Sequence, residues 1–136
     1  MSFDMEVLIS GAGAAGLTLA IDLARRGVSF ILIEQNNEPF GGSRGKGLQP
    51  RSLEVFEDLG FLDRLAAVGA PYPPLRQYRA DGTTEETLLT EQAVPNPAEP
   101  YATPLMIPQF KTEGVMRERL AELGHRPPIR QAADRV

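Results

Sequence analysis

Residues Val7 to Glu34 read VLISGAGAAGLTLAIDLARRGVSFILIE, and this stretch limits the folds open to the chain more than any other. Met5 to Ser10 is short and apolar, as a buried strand should be. Gly11, Gly13 and Gly16 then follow in a G-x-G-x-x-G spacing. The next segment has helical texture, with Ala20 and Leu23 on the side that would face a sheet. Arg25 and Arg26 fall in its last turn, where cations complement the helix dipole, and Gly27 suits the position just past the end. Ser29 to Glu34 reads as a second buried strand closing on a carboxylate. The order predicts a strand, a tight turn, a helix and a parallel strand, the opening unit of an α/β domain.

Each position in that unit has its own physical task. Gly11 permits the tight turn out of the strand, Gly13 lets backbone approach a pyrophosphate closely, and Gly16 lets the helix pack tightly on the strand. The helix N-terminus, with Ala14 and Ala15 in its first turn, offers unpaired N–H groups and the positive end of a dipole to phosphate. Glu34 lies 18 positions after Gly16 and can accept hydrogen bonds from the ribose hydroxyls of an adenosine. The competing reading is a Gly/Ala-rich buried helix with no ligand. It leaves the ordered strand, helix stop, second strand and terminal acid without a reason.

Composition removes other classes. A chain of 136 residues with 42% hydrophobic residues is about one domain with a core. The net charge of −4 without a basic block argues against a nucleic-acid groove. No apolar run approaches the ~18 residues of a membrane span, and the N-terminus lacks the basic region of a signal peptide. The expected location is cytoplasmic. With no cysteine, disulfides, thiolate catalysis and cysteine zinc sites are excluded, and no metal site is expected.

Downstream, Gln35 to Gly47 is a polar loop with glycines at 41, 42, 45 and 47. Pro50 can open a helix whose apolar face is Leu53, Phe56 and Leu59, stopped by Gly60. A short continuation, Phe61 to Val68, ends at Gly69. Leu75–Ala80 and Thr83–Leu89 read as a hairpin turning at Asp81-Gly82. The paired Glu85 and Glu86 read as solvent-facing charge. Ala93–Pro104 is proline-rich and irregular, and Leu105–Ile107 is a brief strand. Thr112–Leu123 is a helix with Val115, Met116, Leu120 and Leu123 on one face, a Glu113–Arg117 i,i+4 pair, and Gly124 at its end. The one histidine, His125, falls in a polar, proline-flanked tail and lacks the pattern of a hydrolase triad.

Three blocks in this order, the fingerprint with Glu34, SRGKGLQPRSLEVFEDLG (Ser43–Gly60) and IPQFKTEGVMRERLAELG (Ile107–Gly124), carry a family likeness. The chain resembles the FAD-dependent aromatic hydroxylases, or class A flavoprotein monooxygenases, with the para-hydroxybenzoate hydroxylase fold. It is similar in particular to bacterial members acting on phenols and aromatic polyketides. The resemblance implies a Rossmann-like βαβ FAD-binding domain, incomplete, with a β-hairpin from the substrate-side sheet. It implies FAD as cofactor, NAD(P)H as reductant and a small aromatic substrate, onto whose ring a hydroxyl derived from O2 is transferred. The cofactor does the hard chemistry, and no side chain here is nominated as a catalytic acid or base.

The cofactor-binding residues implied are Gly11, Gly13, Ala14, Ala15, Gly16, Glu34, Gln35, Arg44 and Gln109. Arg44 would reach the pyrophosphate or the flavin side from the glycine-rich loop, a contact that suits a guanidinium; the plain alternative is a solvated loop charge. Gln109 would bond the ribityl–phosphate part, or else cap the Thr112 helix. Arg51 either faces the cofactor or lies on the surface of its helix. Alanine at 14 stands where relatives often have proline, and Gln35 stands where they have Arg or Lys after the ribose acid.

Relatives run to several hundred residues and carry a later Asp-Gly motif and a Gly-Asp motif that contacts the flavin. The expectation is a partial FAD-binding domain over 1–124 and an irregular tail over 125–136, marking a truncated, excised or frameshifted end. The unmade half would leave apolar surface open and favour homo-oligomers. Two other classes stay open: an NAD-dependent dehydrogenase using Glu34 on its own cofactor's ribose, and an inactive fragment or interaction module.

Overall fold

The computed structural model describes residues 5–88 and 94–125. The ends of the hairpin and proline-rich expectations at Leu89 and Ala93, and the tail over 126–136, lie outside the described residues.

The first unit forms as its sequence dictates. Strand β1 (Val7–Ser10) pairs in parallel with β2 (Phe30–Ile33), in the register Val7 with Phe30 through Ser10 with Ile33. Helix α1 (Ala14–Arg25) connects them. It ends as expected at Gly27, whose φ of 71° lets the Gly27 and Val28 amides return to the carbonyls of Ala24 and Leu23. Ile9, Phe30 and Leu32 face inward, against Leu17, Ala20 and Ile21 of α1. The opposite face of the sheet is uncovered: Leu8 is 66% exposed, and Ile31 and Ile33 are about as open as each other at 42% and 41%.

A second, antiparallel sheet sets the position of the remaining loops. Its strands are β3 (Gly47–Leu48), β4 (Ala70–Pro71) and, as the last of the described strands, β7 (Leu105–Met106), in the order β3-β7-β4. Between β3 and β4 lie α2 (Pro50–Asp58), opened by Pro50, and α3 (Leu62–Val68). Leu53, Phe56 and Leu59 are buried as their spacing requires, and Gly60 at φ 80° closes the first of these helices. Gly47 and Gly69 are small for packing reasons. A Cβ at Gly47 would overlap the Tyr72 hydroxyl, and one at Gly69 would lie 2.8 Å from the Leu105 side chain.

The hairpin β5 (Leu75–Tyr78) and β6 (Thr84–Thr87) is present, with a longer connection than expected. Pairing stops at Tyr78 with Thr84. Beyond that pair the Arg79 amide donates to the Thr83 carbonyl and the Gly82 amide returns to the Arg79 carbonyl; Gly82, the fourth residue of that turn, takes φ 84°, so a three-residue loop ending in a left-handed glycine replaces a two-residue turn. Asp81 tightens it by accepting the Thr83 N–H and hydroxyl. Glu85 and Glu86 are exposed and pair across the hairpin with Arg79 and Arg76.

The last helix, α4 (Gln109–Glu122), starts three residues before the expected Thr112. Pro108 supplies the extended N-cap conformation, and the first helical amide, on Gln109, donates to the Ser43 hydroxyl at 3.1 Å. The Lys111 and Thr112 amides bond the Pro108 carbonyl, so Gln109 is the first residue of the helix, not its cap, and Ser43 satisfies its otherwise free amide. Val115, Met116 and Leu120 are buried in the shared core where α4 packs on α1. At the end of this helix the His125 amide donates to the Leu120 carbonyl, and its ring stacks on Phe30 at 4.7 Å. Among the described residues no helix is long and apolar enough to cross a membrane.

Candidate functional site

The turn after β1 is the floor of a cleft of about 420 Å³, within the ~300–1,000 Å³ usual for cofactor and ligand sites. Gly11 has φ 104°, a backbone state L side chains rarely adopt. A Cβ on Gly16 would overlap the Gly11 carbonyl oxygen and lie 3.4 Å from Ile9 Cγ2, so Gly16 is needed for the helix to sit on the strand. Gly13 differs from both. Its φ is −81°, and a Cβ there would meet only Glu113 Oε1, at 3.8 Å. Nothing among the described residues requires glycine at 13, and the space before it opens into the cleft.

Ala14 and Ala15 form the first turn of α1, which no side chain caps. Their amides belong to the orphan donors every helix start carries. The Ala12 amide, by contrast, donates to Glu34 Oε2 at 2.8 Å. Glu34 Oε1 accepts both the backbone N–H and the side-chain amide of Asn36, each at 2.9 Å. These amides, Asn36 first and Ala12 next, hold the Glu34 carboxyl below the usual carboxylate range. Three of its roughly four acceptor positions are occupied, and the Asn36 side chain is the partner most easily displaced. Gln35 is exposed and lies outside the cleft lining; its backbone also helps hold Glu34 ionised.

The other wall comes from the glycine-rich loop and α4. The β3–β7 ladder, extended by the Ile107 amide on the Lys46 carbonyl at 2.8 Å, brings the two together. Arg44 donates its backbone N–H to Gln109 Oε1 at 3.1 Å. Its guanidinium lies over the Phe40 ring, 4.8 Å from the centroid, and among the described residues it forms no ion pair. Gln109 gives Nε2 to Glu113 Oε1 at 2.8 Å, and Arg117 gives Nη2 to Glu113 Oε2 at 3.0 Å. Arg51 is elsewhere, on the surface of α2, bonded to Glu54.

Gly13, Glu34, Arg44 and Gln109 thus line one cleft, while Gly11 and Gly16 shape its floor and Ala14 and Ala15 start the helix behind it. Phe40, Glu113 and Arg117 line it too and were not singled out as ligands from sequence. In sequence Glu113 and Arg117 read only as a helical pair, and their spacings of four and eight from Gln109 are the available signal. The arrangement fits a dinucleotide. It has open space before a turn without a Cβ, uncapped helix amides, an unpaired guanidinium for phosphate, and an ionised acid for a ribose diol.

Comparison with known proteins agrees. A family profile described as the FAD binding domain matches residues 4–135. A flavin-dependent monooxygenase of Mycobacteroides abscessus is 40% identical over 88% of this chain and 26% of its own length. The 6-methylpretetramide 4-monooxygenase of Streptomyces rimosus is 38% identical over 88% of this chain and 21% of its own. Among solved structures, the flavin-dependent monooxygenase PieE, in complex with FAD and substrate, superposes with a TM-score of 0.74 at 26% identity, over 88% of this chain and 22% of that one. The chain spans about a fifth to a quarter of the length of these relatives.

Proposed function

We infer, since this chain belongs to the FAD-binding domain family of the flavin-dependent monooxygenases, that its cleft holds the ADP half of FAD for the hydroxylation of an aromatic substrate by the whole protein. The carrying observation is the convergence of the Gly13 turn, Glu34, Arg44 and Gln109 on one cleft from three separate stretches of sequence. The pyrophosphate would lie over Gly13 and the amides of Ala14 and Ala15, with Gly11 and Gly16 shaping the turn beneath. Glu34 would take the adenosine ribose, exchanging the Asn36 side chain for a hydroxyl. Arg44 would leave Phe40 for a phosphate oxygen, a stronger, charge-assisted contact. Gln109 would face the ribityl–phosphate part, and Gln35 would support Glu34 through its backbone alone.

FAD, reduced by NAD(P)H, supplies the oxygen chemistry when bound; the residues here bind it, orient it and shield it. A phenolic or polyketide aromatic substrate is the reading, supported by relatives named for 3-(3-hydroxy-phenyl)propionate and for an aromatic compound. The uncovered apolar face of Leu8, Ile31 and Ile33 is the surface that the rest of a full-length polypeptide, or a second copy, would cover. A dehydrogenase reading is disfavoured by the antiparallel β3-β7-β4 sheet and the hairpin, which stand where further parallel strand–helix units would continue. Calorimetry of the chain with FAD, ADP and NAD tests the assignment. FAD and ADP are expected to bind and NAD to bind more weakly; tighter NAD binding would overturn it.

A further inference from the structure

We propose that Glu113 is a positioning residue of the cleft, whose carboxylate fixes the orientation of Gln109 and through it the arginine loop, while holding Arg117 against the glycine turn. The inference rests on the cleft being the FAD site.

Glu113 is 1% exposed and sits inside the α1–α4 packing. Burying a carboxylate costs several kcal/mol unless good geometry and hydrogen bonds offset it. An apolar side chain would pack the same space without that cost. What the carboxylate adds is two acceptors for donors one turn away on either side, at 109 and 117, both of which line the cleft.

The consequence at Gln109 is directional. With Nε2 given to Glu113, Oε1 must point the other way, where it receives the Arg44 N–H at 3.1 Å. A reversed amide would set oxygen against the carboxylate and a donor against the Arg44 N–H. Glu113 therefore selects the end of Gln109 that meets the loop. The Ser43 hydroxyl, accepting the Gln109 amide at 3.1 Å, completes a two-point clamp on residues 43 and 44. On the other side Arg117, also donating to the Ala12 carbonyl at 3.4 Å, joins the same carboxylate to the turn. The loop bearing Arg44 and the turn bearing Gly13 are thus held by a single buried group.

Glu113→Gln leaves one acceptor oxygen for two donors. That oxygen goes to the cationic Arg117, the new amide nitrogen faces Gln109, and Gln109 reverses. Amide hydrogen exchange in the FAD-free chain reads this directly. The Arg44 amide is expected to exchange about fivefold faster or more, the scale of one lost hydrogen bond. The amides of Leu17, Ala20 and Ile21 in α1 should keep their protection. Gln109→Ala should have the same effect, and Glu113→Gln should add nothing to it. In an FAD titration, Glu113→Gln should then bind several-fold more weakly than the parent. If the parent itself fails to bind FAD, the reading of the cleft falls, while the exchange result judges the clamp separately. Unchanged Arg44 exchange in Glu113→Gln, or additive effects in the double variant, would overturn the proposal. Should Glu113→Gln not fold, Glu113→Leu, which packs the space without charge, takes its place; wild-type exchange at Arg44 in that folded variant would also overturn it.

Discussion

The Glu34 carboxylate accepts the backbone N–H of Ala12 at 2.8 Å, so the acid that ends β2 is tied to the turn that follows β1. One side chain thereby touches both halves of the fingerprint: it braces the glycine turn, and in the proposed site its remaining lone-pair capacity would take a ribose. Glu34→Ala removes both roles and should weaken ADP and FAD binding by about 1.5–3 kcal/mol, the range for hydrogen bonds to a charged group. Glu34→Gln keeps an acceptor for Ala12 and should lose less. Calorimetry with ADP separates the two variants, and equal affinity of the alanine variant and the parent would make Glu34 a bystander.

The same contacts set a pH dependence. The Asn36 and Ala12 amides depress the Glu34 pKa in the folded state. A carboxylate depressed on folding gives stability that is complete above its unfolded pKa, about 4.3, and is lost as pH falls through the lower folded value. Glu6, Asp22, Asp81 and Glu122 are depressed as well, so the whole chain should weaken in acid. Glu34→Gln isolates one contribution. The gap in melting temperature between parent and Glu34→Gln should be flat near neutrality and narrow below about pH 4.3. A gap that stays constant into acid would mean the fold does not favour the ionised form.

Two glycines of the fingerprint should respond oppositely to alanine. At Gly16 a Cβ would overlap the Gly11 carbonyl oxygen, which is backbone and cannot swing aside. Gly16→Ala should cost about 1–3 kcal/mol of stability, as overpacking does. At Gly13 the nearest protein atom to a Cβ is 3.8 Å away and φ is −81°, so Gly13→Ala should melt close to the parent. Its FAD affinity should nonetheless fall about tenfold or more, because the methyl occupies the approach of the pyrophosphate. Thermal melts paired with FAD titrations give both readouts. A Gly13→Ala chain that binds FAD normally would remove the pyrophosphate from that turn.

Sequence makes the first unit legible because its rules are local. Gly27 stops α1 by its own left-handed conformation, and the Leu53, Phe56 and Leu59 spacing needs only a helix to be read. The start of α4 is only partly local. The first amide, on Gln109, finds its acceptor on Ser43, 66 residues away, beside the local bond of Thr112 to the Pro108 carbonyl. The role of Glu113 is hidden for the same reason. A Glu–Arg pair at i,i+4 has the same spelling on a solvated face as in a core, and only the packing of α4 on α1 buries this one. Gln35 shows the converse: its place in the sequence puts it beside Glu34, while its side chain is exposed to solvent.

Arg44 offers the sharpest test of the loop's part in binding. Its backbone is clamped by Gln109, while its guanidinium, among the described residues, rests on the Phe40 ring at 4.8 Å without an ion pair. An exposed cation–π contact is worth about 0.5–1 kcal/mol, less than the ~1.5–3 kcal/mol of a hydrogen bond to a charged group, so phosphate should draw the side chain off the ring. Arg44→Ala should therefore weaken FAD binding and also flatten its salt dependence, since screening acts on the charge that has been removed. Phe40→Ala should leave the salt slope intact, because the cation remains. Titrations of the parent and both variants at several ionic strengths decide the matter. Parallel salt curves for the parent and Arg44→Ala would leave Arg44 as a solvated loop charge with no phosphate partner.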